Sequence, residues 1–582
     1  VQRAQDDDAA TARDQTAGSG SPEADAVAPG TGAATPETEP TPTTVAVDES
    51  PVDAEEQAAE FAATHAALRR RLRLPERVGA NAAGLAWAGA FAVFGLALVL
   101  RIWGLGTIDE LIFDETYYVK DGYTLTQQGV EMDWPEEPDA AWERGEVDGY
   151  LDTGAYVVHP SLGKWLIGAG MTALGADNPW GWRIAVALLG SLSVLMLARI
   201  GRRLFRSTTV GLIAGLLLAI DGLHLVHSRT SLLDLPLTFF VLAGFGALLI
   251  DRDRHRERLA LETARLRVAG LAPPRLGLRG GWRPWRITGG VLLGMACSVK
   301  WSGIYFLAVF GIMIVLWDWW ARRTIEQRDW LLGGLWRDAI PAFLATVGTA
   351  AVTYLLSWSG WLLTSIGYGR HWAAEQEGGG TGFAPLDALW SLWHYHRQAY
   401  EFHVGLDSEH PWQSNPWGWP LMLRPTNFYY RSYDYGEMGC QVERCASHIL
   451  SVGNPLIWWL GTLAVIVTLL LGLWFRDGRA LAALSGIVAG YLPWVLLYEE
   501  RTVFTFYAVV FEPWLILCLA YVLGLVVGGR RADPERRLAG GLFVGSLLVL
   551  IVLVSAFFWP VWTGQVIDLD QWQWRMWLPS WT

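Results

Sequence analysis

The chain has 582 residues, 52% of them hydrophobic and only 18% charged, with 34 Trp and a mean hydropathy of +0.24. A mixture so apolar over this length excludes a water-soluble globular protein and defines a polytopic membrane protein. The formal net charge of −12 resides in residues 1–65, where 14 Asp/Glu face only Arg3 and Arg13, and the rest of the chain is balanced. No acidic partner-binding face is implied, and no basic face for nucleic acid.

Residues 1–65 are rich in Ala, Pro, Thr, Gly, Asp and Glu and nearly lack large apolar side chains. They read as a disordered acidic tail, because so little buried surface cannot offset the entropy of ordering. A basic juxtamembrane segment at 66–83 follows. Runs near the roughly 20 apolar residues that cross a bilayer lie at 84–104, 180–200, 208–226, 232–250, 286–300, 301–320, 339–361, 453–475, 480–498, 503–527 and 538–562. The expectation is an all-α polytopic domain over 84–562 with about eleven spans, and a tail at 563–582. Basic clusters at Arg69 to Arg77, Arg199 to Arg206, Arg252 to Arg286, Arg322 to Arg337, Arg476 with Arg479, and Arg530 to Arg537 occupy alternate loops. The positive-inside rule then places those loops and the N-terminus in the cytoplasm and the C-terminus outside. Two external loops are large, 105–179 and 362–452. Within the first, SLGKWLIGAGMTALGA at 161–176 is apolar but short, and reads as an amphipathic helix in the outer interface.

The first loop opens with TIDELIFDETYYVKDGYTL. Asp114 and Glu115 stand just past the first span, where a carboxylate can take a proton from an attacking hydroxyl; a solvated acidic turn is the plain alternative. VVHPSLGKWLI follows, with His159 and Lys164 ahead of the interfacial helix. Lys164 there suits a lipid phosphate, or it snorkels. Arg183, Arg229, Asp234 and Lys300 sit at the predicted outer ends of spans, where ionisable groups are costly and mark function. Arg229 and Asp234 form either an ion pair or part of a site. Arg183 and Lys300 have no acidic neighbour in sequence, which favours anion binding. Cys297 and Cys518 read as small buried hydrophobes. Cys440 and Cys445 share the second external loop, as a short disulfide or as two thiols.

FDET at 113–116, HPSLGK at 159–164, SRTSLLD at 228–234, SVKWSG at 298–303 and HPWQSNPWGWPLMLRP at 410–425 together resemble the bacterial protein O-mannosyltransferases. These are polytopic enzymes of the GT-C glycosyltransferase type, and the resemblance covers about 84–562. It implies inverting transfer of mannose from polyprenyl phosphate mannose to Ser or Thr of a polypeptide outside the plasma membrane. The family's acidic motif falls on Asp114 and Glu115, its His-Pro motif on His159 and Pro160, and its arginine on Arg183. Ser161 stands where many members have a second Pro, and Val157 where eukaryotic relatives have Asp. The segment 362–452 is too short for their inserted β-trefoil domain.

On this reading Asp114 is the base, and Arg183, Lys300, Arg229, His159, Lys164 and Asp234 serve the donor phosphate or sugar. Trp412, Gln413, Trp417 and Arg424, with Trp390, Trp393 and Trp419, line the sugar and acceptor groove; an interfacial Trp belt is the other account of the tryptophans. No cofactor is expected and no metal, because adjacent carboxylates rarely chelate one ion together and cations already cover the phosphate. Expected partners are the lipid-linked donor, acceptor polypeptides, membrane lipids and the secretion channel. The competing readings are a GT-C enzyme with a lipid or glycan acceptor, of the aminoarabinose or lipomannan type, and a transporter, for which the internal repeat is missing.

Overall fold

A computed structural model describes residues 51–75, 79–377, 379–498, 501–529 and 532–582. In chain order the main helices are α1 (Pro51–Arg71), α2 (Ala80–Ile102), α3 (Glu115–Gln128), α4 (Leu162–Leu174), α5 (Pro179–Phe205), α6 (Thr208–Ile220), α7 (Asp234–Val268) and α8 (Pro284–Val299). They continue as α9 (Gly303–Thr324), α10 (Trp330–Ser357), α11 (Ala384–Val404), α12 (Pro455–Trp474), α13 (Gly478–Leu497), α14 (Glu512–Val527) and α15 (Pro534–Thr563). Every apolar run read from the sequence coincides with one of these helices. Among the described residues eight are long and apolar enough to cross a membrane: α2, α5, α7, α9, α10, α12, α13 and α15. The other three runs form the shorter helices α6, α8 and α14, of 13, 16 and 16 residues. Helix α10 winds through two π segments, at Leu335–Ala339 and Leu344–Gly348, on either side of Pro341, whose missing N–H interrupts the regular ladder.

Helix α7 has 35 residues, about 52 Å at 1.5 Å per residue, far more than the ~30 Å hydrocarbon layer. Its second half therefore projects beyond the bundle and offers Leu259, Ala260 and Ala264 to Leu68 of α1 and to Leu72 just past it. The expected acidic tail is corrected over 51–65, which is helical. That stretch is built of Ala, Glu and Gln, which favour helix, and Phe61, Leu68 and Leu72 give it one apolar stripe. The rest of the tail lies outside the described residues.

The second large loop adds what an all-α reading missed, a small sheet of order β1-β2-β3: β1 (Thr426–Asp434), β2 (Arg444–Ser451) and β3 (Ile567–Asp568), all antiparallel. Cys440 and Cys445 are disulfide-bonded across the β1–β2 turn. The register slips between Asn427 and Tyr429, a bulge that frees Phe428 to stack on Phe113 with ring centroids 4.6 Å apart. The stretch 563–582 is packed rather than a tail. It supplies β3, and Trp581 is fully buried with its indole N–H on the Met422 carbonyl at 2.8 Å.

Candidate active site

The first loop is held by a buried salt bridge. Glu115, with no exposed surface, accepts from Arg183 Nε at 2.9 Å and Nη2 at 2.7 Å, and from the Ser231 N–H at 2.9 Å. Arg183 spends its remaining donors on the carbonyls of Leu105, Ile108 and Glu110, at 3.4, 2.6 and 3.0 Å. No N–H is left for a phosphate. The expected roles of Arg183 at the donor and of Glu115 in catalysis are therefore corrected: the pair fixes residues 105–115 so that Asp114 is presented one residue earlier. Phe113 takes a left-handed φ of 52°, a turn that tolerates no regular helix and starts α3 at Glu115. No sequence signal pointed to these carbonyl partners.

Arg229 is corrected in the same way. It does not pair with Asp234 but caps the end of α2, donating to the carbonyls of Arg101, Trp103 and Gly104 at 3.0, 2.7 and 2.8 Å. Lys164 is 1% exposed and bound to Glu131 at 2.6 Å and Asp121 at 3.4 Å. That geometry follows from the crossing of α3 and α4, where a Cβ on Gly168 would lie 2.4 Å from the Gly122 carbonyl oxygen. Backbones this close leave Lys164 facing α3, so neither phosphate binding nor snorkelling describes it.

Four of the expected residues do converge: Asp114, His159, Asp234 and Lys300. Lys300, at the end of α8, binds both oxygens of Asp234, the first residue of α7, at 3.0 Å each. Its ammonium also lies 4.4 Å from the Tyr507 ring centroid. Asp114 accepts a long hydrogen bond from Tyr118 at 3.5 Å. Burial pushes its carboxyl up to about 6, against the pull of the Lys300 charge and with the push of Asp234. His159 stacks on His403 at 5.0 Å and lies 6.3 Å from Tyr118. Burial drives it well below the usual imidazole range, so it is neutral, with Nδ1 buried and unpartnered.

His403 and Arg501 join this face without having been singled out in the sequence. His403 Nε2 donates to the Val158 carbonyl at 2.9 Å, which leaves Nδ1 as the acceptor for Arg501 Nη2 at 3.4 Å. Burial pushes His403 down to about 4. Arg501 has no carboxylate within 4 Å among the described residues, and its Nε is buried without a partner. The available signal was an Arg in a tight turn between two apolar runs, on the face that carries Asp114. Below Lys300 a small cavity has walls from Asp234, Tyr305, Trp494 and Tyr507.

The HPWQSNPWGWPLMLRP stretch is a frame for this face. Trp419 is buried, with its indole N–H on Ser414 Oγ at 2.9 Å, and Ser414 accepts from Thr505 at 2.8 Å beside Tyr507. Arg424 covers the Trp412 ring at 4.9 Å and donates to the carbonyls of Ser580 and Pro411, at 2.9 and 2.8 Å. It locks the loop to the C-terminal segment instead of meeting an acceptor. Gln413 accepts from the His410 N–H at 3.3 Å, and Trp417 stands 66% exposed. Trp390 and Trp393 stand exposed on α11, by 56 and 72%.

Among the described residues one group elsewhere has metal-ligand spacing, His255 with Asp318 and Asp338. Its carboxylates are already neutralised, Asp318 by Arg283 and Arg286 and Asp338 by Arg322. A divalent ion would have to displace guanidinium groups, so the chemistry of this set does not fit a metal.

The fold is that of the GT-C membrane glycosyltransferases. The S. cerevisiae protein O-mannosyltransferase Pmt1-Pmt2 complex bound to the sugar donor matches with a TM-score of 0.63 over 90% of this chain and 94% of that one, at 13% identity. Residues 91–358 match the family of dolichyl-phosphate-mannose-protein mannosyltransferases, and residues 389–581 the C-terminal four-helix membrane region of protein O-mannosyltransferases. The polyprenol-phosphate-mannose–protein mannosyltransferase of Mycobacterium tuberculosis is 40% identical over 501 residues, 84% of this chain and 90% of its own length. That of Corynebacterium glutamicum is 35% identical over 85% of this chain and 93% of its own. The chain belongs to the protein O-mannosyltransferase family.

Proposed function

We propose that the enzyme transfers mannose from polyprenyl phosphate mannose to Ser or Thr hydroxyls of polypeptides, with inversion at the sugar carbon. The observation that carries the chemistry is Asp114, a partly buried carboxylate poised near pH 6 and faced by Lys300. Asp114 takes the hydroxyl proton as the oxygen attacks the anomeric carbon, and the lipid phosphate departs as an anion that needs cationic partners rather than an acid. Arg501, whose Nε has no partner among the described residues, is the first of these, and Lys300 adds field from its pair with Asp234. His159 and His403, both neutral, offer hydrogen bonds without competing for the proton. The scheme includes no metal, since Lys300, paired with Asp234, already brings positive charge to bear on Asp114.

The basic loops support a plasma-membrane orientation with the N-terminus in the cytoplasm and Asp114 outside. That side suits acceptors emerging from the secretion channel. The acceptor class is tested by incubating the purified enzyme with labelled polyprenyl phosphate mannose and either a Ser/Thr-rich peptide or a lipid-linked glycan. Label in the peptide is expected. Label confined to the lipid product would replace the protein acceptor with a glycan.

A further inference from the structure

Helix α11, in the second large loop, is divided lengthwise into three sectors. One is packed on the protein: Ala388, Leu392, Tyr395 and Ala399 are buried. A second is apolar yet open, a stripe at three- and four-residue spacing formed by Leu386, Trp390, Trp393, Tyr400 and Val404, exposed by 47, 56, 72, 60 and 58%. The third, along one border of that stripe, is polar, with Asp387, His394, Gln398 and Glu401. A helix in water has no reason to keep the second sector, and a helix buried in protein has none to keep the third.

The packed sector fixes the level of the helix. His396 meets Tyr354 of α10 at 2.6 Å, Tyr395 meets Trp358 edge to face just past that span, and Tyr395 exchanges hydrogen bonds with the backbone of Val157 at 2.8 and 2.9 Å. Trp301, in the turn between α8 and α9, touches both His396 and His403. Tyr354, Trp358 and Trp301 lie at ends of spans on the Asp114 face, Val157 lies in the first loop beside them, and they are met from residue 395 to residue 403. The helix therefore lies across the span ends, at the depth of the lipid headgroups, and Trp and Tyr on its open stripe are the residues that favour that layer.

We propose that α11 is seated in the bilayer leaflet on the Asp114 face, with its Leu386/Trp390/Trp393/Tyr400 stripe in the boundary between headgroups and acyl chains and its polar border in water. The lipid layer then covers the stripe and sets the height of the wall that carries His403. A protein cover is disfavoured because Arg397 sits in the middle of the stripe, 70% exposed and, among the described residues, paired only with Glu401, a placement that suits a guanidinium reaching up to headgroups.

The test uses the full chain in vesicles of phosphatidylcholine and phosphatidylglycerol, with a nitroxide on Trp393→Cys and, separately, on Glu401→Cys. The native thiols Cys297 and Cys518 are buried, and the unsubstituted chain supplies the background. Collision with oxygen, which concentrates in the bilayer, relative to a water-soluble nickel complex should be about fivefold higher at 393 than at 401 for a stripe 5–10 Å deep. Equal ratios would put the helix in water and overturn the proposal. Exclusion of both reagents at 393, with an immobilised spectrum, would mean a protein cover and overturn it too. Tyr400→Cys gives the same reading from the same stripe if Trp393→Cys fails to insert.

Discussion

Asp114→Asn separates the chemistry from the architecture. The substitution keeps the shape of the side chain and its place at the start of α3, but removes the proton acceptor. A general base contributes about 10²–10⁴-fold, so kcat should fall by at least about a hundredfold while donor binding holds. Stability should move the other way. The carboxyl titrates at 3.8 when unfolded and about 6 here, and at 1.36 kcal/mol per pH unit its ionised form opposes folding by about 3 kcal/mol at pH 7, or about 1–2 kcal/mol once partial exposure is discounted. Because the folded value is the higher one, that penalty is fully present above 6 and vanishes below 3.8; Asn never incurs it. The variant should therefore melt a few degrees higher at pH 7 and show no such gain at pH 3.5. The wild-type kcat/KM should halve near pH 6 and fall tenfold per unit below. Turnover of the Asn variant within tenfold of wild type, or a flat wild-type profile from pH 5 to 8, would refute the assignment of the base.

Lys300→Met removes a charge that holds the Asp114 carboxyl down and leaves Asp234 unneutralised beside it, so the acid limb of the pH–rate profile should move up by about one unit or more. Glu115→Ala strands the Arg183 charge and should cost about 3–5 kcal/mol, read as a lost thermal transition; Arg183→Met in the same chain should restore part of it, which a donor-binding arginine would not do. Arg501→Gln should raise the donor KM or lower kcat/KM by about 10–100-fold, the worth of a charge-assisted hydrogen bond to phosphate, with Arg501→Lys recovering part. Unchanged kinetics in Arg501→Gln would move the phosphate contact elsewhere.

The eight helices long enough to cross a membrane were legible because apolar runs of this length have one physical solution in a bilayer. Helix α1 was not, since Ala, Glu and Gln are as common in disordered tails as in helices, and its burial depends on the projecting half of α7 together with Ala321 and Ile325 at the end of α9. The β1–β2 hairpin was hidden by its aromatic residues, which also suit a groove or an interface. At the site, Asp114, His159, Asp234 and Lys300 were readable from their motifs, but pairing was not. Asp234 takes Lys300, far along the chain, rather than Arg229 five residues away, because Arg229 is drawn to the carbonyls at the end of α2. Arg183 likewise answers to backbone oxygens that carry no sequence signature. Composition shows where charge is, whereas its partner depends on which helix ends meet.

The lock made by Arg424, Ser580 and Trp581 has a consequence for biosynthesis. Strand β1 leaves the ribosome well before β3, with which it shares a sheet; at 5–20 residues per second the roughly 140 intervening residues take about 7–30 s. During that interval the loop around Trp419 and Met422 lacks its plug, and β2 has an open edge. The catalytic face therefore closes last, after α15 has crossed the membrane, and a nascent chain stalled before residue 567 would be inserted yet unfinished on the side where its chemistry occurs.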